Sequence, residues 1–100
     1  MRAVIDPLDR QSWKRFGTAD AGHELIYRLY NIAGQLLYVG ITWNPFVRWT
    51  YHARTKPWWT EVASVAVHQC RDDRDARAQE TAAIHAEAPR YNIHQVKVCV

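Results

Sequence analysis

Five residues of this chain have the types and spacing to do chemistry: Tyr27, Tyr38, Arg48, His52 and Glu80. Arg48 and His52 are four positions apart, which on a helix projects both from one face. A guanidinium offers fixed paired donors to the non-bridging oxygens of a phosphate. An imidazole donates to a phosphate or relays a proton near neutral pH. Taken alone, the pair also fits a solvated, charged helix face. Glu80 is less ordinary. Its helical neighbours Ala76, Ala83 and Ile84 form the apolar stripe that should face a core. A carboxylate there loses solvation and needs a cation or hydrogen bonds. A divalent metal meets that need, and so does a buried ion pair with an arginine.

Ten residues lie between Tyr27 and Tyr38. Most strand tyrosines only pack. Beside a metal or a cationic group, however, a phenol loses its proton more easily and serves as a base. Gly40 either permits a turn or lets a substrate backbone approach closely. Trp58 and Trp59 follow Lys56-Pro57 in a strand-entry position, where neighbouring side chains point to opposite sides. One indole is therefore expected in the core. The other is expected to be exposed beside Arg54 and Lys56, stacking on an unpaired base. Arg71, Arg74 and Arg77 recur every three residues, and the nearby Asp72, Asp73 and Asp75 argue for local pairing over phosphate contact. His23, His68, His85 and His94 have no metal-ligand spacing.

The elements that must position these side chains are legible from pattern. Residues 24–31 alternate as a strand, with Leu25, Tyr27, Leu29 and Asn31 on one face. Ile32-Ala33-Gly34-Gln35 is a turn in which Gly supplies a positive φ. Residues 36–42 return as a second strand, and antiparallel pairing brings the two tyrosines together. Asn44 and Pro45 open a helix to about Arg54, and Pro57 ends it. Residues 60–69 read as a third strand. Asp72 or Asp73 caps an alanine-rich helix to about Glu87, closed by Pro89. Residues 90–100 are irregular, with a short strand near Val96–Val100. The order is β-β-α-β-α: an α/β protein of the α+β type, with a small three-stranded antiparallel sheet flanked by helices. Residues 1–22 form an N-terminal arm or carry a short helix around Asp9–Phe16. Residues 23–95 form the domain and 96–100 a tail.

Bulk properties bound the reading. One hundred residues make one domain. A formal net charge of +3 favours a polyanionic partner. Cys70 and Cys99 are too few for a disulfide framework. No apolar stretch is long enough to cross a membrane, and a soluble cytoplasmic monomer is expected.

With these residues in this order, the chain resembles the GIY-YIG nuclease family. Leu25-Ile26-Tyr27 stands at the first motif and Tyr38-Val39-Gly40 at the second. Arg48 and His52 match an Arg-x-x-x-His helix, Glu80 the metal-binding glutamate, and Asn92 a polar residue often found beyond it. The match covers roughly residues 24–93. Leu25 departs from the expected Gly but touches no reactive group. A further basic residue near the tyrosines of some members has no clear equivalent. Many members attach this module to a separate DNA-binding domain. Specificity is therefore expected to come from this chain's own surface, from residues 1–22, or from a protein partner or targeting subunit.

The resemblance implies an endonuclease acting on DNA with a single Mg²⁺ or Mn²⁺ held by Glu80. Water deprotonated through a tyrosine, with Tyr27 preferred, would attack phosphorus. Arg48 would neutralise the developing charge, and Tyr38 and His52 would position water and substrate. Gly40, Arg54, Lys56, Trp58, Trp59 and Asn92 would contact nucleic acid. The alternative is a catalytically idle module that grips nucleic acid through the same face.

Overall fold

The computed structural model describes residues 2–92. The strand expected near Val96–Val100, the tail at 96–100 and His94 lie outside them. Four strands form one antiparallel sheet: β1 (Ala3–Val4), β2 (Glu24–Tyr30), β3 (Leu36–Thr42) and β4 (Ser64–Cys70), in the order β1-β4-β2-β3. The expected sheet had three strands. The fourth is only two residues long and pairs Ala3 with Val65 and Val4 with Ser64. A segment that short shows no alternation, and its partner is distant in sequence.

The β2–β3 hairpin forms where the alternation places it. Gly34 adopts φ +82° in the turn, and its N–H donates to the Asn31 carbonyl at 3.0 Å. Helix α1 spans Pro45–Thr55, with the Asn44 side chain accepting from Val47 N–H at 3.3 Å. Helix α2 spans Asp73–Glu87, with Asp72 accepting from Asp75 N–H at 2.7 Å. It ends at Ala88, in the left-handed region before Pro89.

Two further segments are 3₁₀ helices, Arg10–Phe16 and Pro57–Glu61. The second replaces the first part of the expected third strand, because Lys56-Pro57 starts a turn rather than an extended run. Residues 3–16 pack on the domain. Ile5 and Trp13 are buried, and the Trp13 and Trp59 indoles donate to the Asp6 and Pro7 carbonyls at 2.8 and 2.7 Å.

The sheet separates two cores. On one face, α1 and the two 3₁₀ helices enclose Trp13, Tyr27, Tyr38, Trp49, Trp58 and Trp59 among other apolar residues. On the other, Ala76, Ala83 and Ile84 of α2 cover Ile26 and Val39. The α2 stripe read from the sequence is the packed one, and Glu80 lies in it.

Candidate active site

In the hairpin register Tyr27 faces Gly40 and Leu29 faces Tyr38. A Cβ at Gly40 would stand 2.5 Å from Tyr27 Cζ, an overlap no side chain tolerates. Gly40 therefore makes room for the Tyr27 phenol. This internal role is one that the sequence alone did not suggest.

The Tyr27 and Tyr38 rings lie 6.2 Å apart. Helix α1 brings His52 against both. Tyr27 Oη is 2.7 Å from His52 Nε2, and the Tyr38 and His52 rings are 5.0 Å apart. His52 is fully buried. Burial first, then the charges of Arg48 and Lys56, lower its pKa to about 3, so it is neutral. Tyr27 is 0 % exposed. Burial, with Tyr38 adding, pushes its hydroxyl well above the ordinary phenol range, against the opposing charge of Arg48. With the imidazole neutral, one proton lies between Tyr27 Oη and Nε2, and the second ring nitrogen is Nδ1. That nitrogen is buried without a partner among the described residues.

The Tyr27 hydroxyl is thus buried and engaged with His52. Tyr38 keeps 5 % of its surface exposed. Its hydroxyl is also raised by burial, but it lies within the influence of Arg48, Glu80 and Tyr51. Arg48 is set between the two tyrosines. Burial works against its charge, yet both hydroxyls outweigh this and raise its pKa. Its Nε is buried and unpartnered among the described residues, as is Trp49 Nε1 one position on. Unsatisfied buried nitrogens are uncommon and ask for an explanation.

Glu80 is half-buried and takes part in no salt bridge among the described residues. Desolvation raises its pKa, and Arg77 and Arg48 oppose the shift. Its charge reaches Tyr27 and Tyr38. The dry arginine pair that would explain Glu80 structurally does not form. All five candidate residues are thus electrostatically or sterically coupled, from β2, β3, α1 and α2.

The expected nucleic-acid contacts divide. Arg54 is exposed and Lys56 partly so. Trp58 and Trp59 are 8 % and 2 % exposed, against the expectation of one exposed indole. In a 3₁₀ helix of three residues per turn, neighbours diverge by less than across a strand, and one core takes both. Trp58 stacks on Tyr38 at 5.2 Å and on Tyr91 at 5.3 Å, while Trp59 stacks on His52 at 6.2 Å. They form the wall behind the tyrosine–histidine pair. Asn92 is also buried. Its amide accepts from Val39 N–H at 3.0 Å and donates to Val39 O at 3.1 Å. It completes the outer edge of β3 and is unavailable to nucleic acid.

The exposed aromatic side chain beside Arg48 is instead Tyr51, whose ring centroid lies 5.6 Å from the guanidinium carbon. Its position three residues after Arg48 and four after Val47 was the available signal. A family model described as the GIY-YIG catalytic domain matches residues 23–92. Comparison with curated proteins and with solved structures gives no significant match.

Proposed function

From the premise that this chain belongs to the GIY-YIG catalytic-domain family, we propose that it is a metal-dependent endonuclease that hydrolyses phosphodiester bonds in DNA. The observation that carries the reading is the gathering of Tyr27 and Tyr38 against His52, on the helix that also carries Arg48, together with a half-buried Glu80 that has no ion-pair partner among the described residues.

The donor chemistry suits one hard cation. No group of three or more His, Cys, Asp or Glu side chains assembles among the described residues. A metal here would rely on Glu80, with water and substrate phosphate completing the shell, as Mg²⁺ or Mn²⁺ accepts. Such an ion supplies charge stabilisation at a phosphate oxygen and a more acidic water. Arg48 donates to the non-bridging oxygens as charge develops. Tyr38 orients the attacking water and shares its proton. The Tyr27–His52 pair, backed by Trp59, holds Arg48 and Tyr38 in register.

The test is nicking of supercoiled plasmid with Mg²⁺, with Mn²⁺ and with EDTA. Glu80→Ala should abolish metal-dependent nicking while leaving the fold intact. Cleavage that survives the substitution would sink the assignment. DNA binding by the unmodified chain with no cleavage under any metal would leave the idle binding module.

A further inference from the structure

Residues 10–18 and 43–59 contain no Asp or Glu. They carry Arg10, Lys14, Arg15, Arg48, Arg54 and Lys56, and none of these makes a salt bridge among the described residues. The first 3₁₀ helix and α1 are packed together. Arg10 donates to Thr50 Oγ1 at 3.3 Å, and the charges of Arg10 and Lys14 lie 5.2 and 5.4 Å from the Phe46 ring. The result is a cationic face to which these two segments contribute no carboxylate, complementary to a polyanion.

Two large apolar side chains stand exposed on it. Val47 and Tyr51 are 59 % and 51 % exposed, and as an i, i+4 pair they share one edge of α1. The Tyr51 ring lies beside Arg48, so a phosphate held by the guanidinium brings the adjoining nucleotide to the ring. Trp43 is exposed too, but it borders a depression lined by Asp20, Glu24 and Asp73, which repels phosphate. In a duplex each base face is covered by its neighbours. Only an unpaired or splayed base offers a free face to an aromatic ring.

We infer that Tyr51, buttressed by Val47, is the platform on which an unpaired DNA base stacks beside the phosphate held by Arg48. The substrates selected are then DNA strands that are single or splayed at the cleavage point. The inference rests on the nuclease reading only in giving Arg48 a phosphate, and its test measures binding without metal.

Three DNAs of one sequence would be titrated in EDTA: a plain duplex, a single strand and a duplex with a one-nucleotide bulge. 2-Aminopurine at the unpaired position reports stacking by its quenching. Tyr51→Ala should weaken binding to the single strand and the bulge by roughly five- to hundredfold, and to the duplex by less than about twofold. Tyr51→Phe keeps the ring and should retain both affinity and quenching. Melting curves verify that both variants fold. Equal losses on all three DNAs, no loss on any, or a Phe variant as weak as Ala would overturn the platform. With metal restored, stacking without cleavage overturns the nuclease reading alone. Cleavage with an indifferent Tyr51→Ala overturns this inference alone. An unmodified chain that binds none of the DNAs overturns this inference.

Discussion

Helix α1 carries Arg48, His52 and Arg54 with no carboxylate, whereas α2 carries Asp73, Asp75, Glu80 and Glu87 beside Arg74 and Arg77. On α2 the charges are largely spent on one another and on the sheet. Arg77 pairs with Asp73 at 2.8 Å, Arg71 with Asp75 at 3.7 Å, and Glu87 reaches Arg28 at 2.8 Å. On α1 three nitrogens in five consecutive residues, Arg48 Nε, Trp49 Nε1 and His52 Nδ1, are buried without partners among the described residues. Two helices of one small domain thus differ in how completely their polar groups are satisfied. The difference sets the densely paired surface of α2 against an α1 that buries polar nitrogens without partners among the described residues. Glu80 stands outside the α2 pairs.

The largest expected effect tests that division directly. Arg48→Ala should lower turnover by ~10²–10³-fold, as loss of one transition-state donor does, and weaken DNA binding far less. Lys56→Ala should do the reverse. Arg71→Ala, which breaks only an exposed pair on the α2 side, should leave nicking rates unaltered. Steady-state nicking and a binding titration measure all three. Equal losses in turnover for Arg48→Ala and Arg71→Ala would erase the contrast between the helices.

A smaller effect concerns the pH dependence of folding. His52 titrates near 6.5 when unfolded and about 3 when buried. Between those values the unfolded chain holds the extra proton, so stability rises with pH. The contribution is complete above about pH 6.5 and is lost as pH falls toward 3, at up to about 1.4 kcal/mol per pH unit. Urea unfolding from pH 7 to pH 4 should show this slope. His52→Gln, with no titration, should flatten it whatever its absolute stability. An identical slope in the variant would mean that His52 is not the neutral, buried partner of Tyr27.

The smallest effect belongs to α2. Asp73→Ala removes the exposed Arg77 partner and should cost no more than ~1 kcal/mol in the same unfolding measurement, because surface ion pairs contribute little. A larger cost would show that the α2 pairs are not the solvated contacts their geometry describes.

Much of the frame was legible because it is written locally. The hairpin follows from period-two alternation around a Gly turn. Both α-helices follow from their caps, Asn44 and Asp72 or Asp73, and from proline stops, and the pairing of Arg71 and Arg77 follows from the carboxylates beside them. The ordered positions Tyr27, Tyr38, Arg48, His52 and Glu80 were enough to point to the family. Other features depend on contacts distant in sequence or on the local turn. Trp58 and Trp59 stand at the entry to the third strand, where alternation would split them, but a 3₁₀ turn faces both inward. Asn92 meets Val39 across 53 positions of sequence, and Gly40 is required by the ring of Tyr27, thirteen residues earlier.

The sequence by itself determined which side chains are present and how often they recur along each helix and strand, because propensity and periodicity act over a few neighbouring residues. The tertiary structure alone decided that both tyrosines are buried against His52, with Tyr27 hydrogen-bonded to it. It also decided that the exposed aromatic beside Arg48 is Tyr51 rather than a tryptophan. Those outcomes depend on burial and on charges brought together by packing, and desolvation is a property of the assembled surroundings rather than of any residue type.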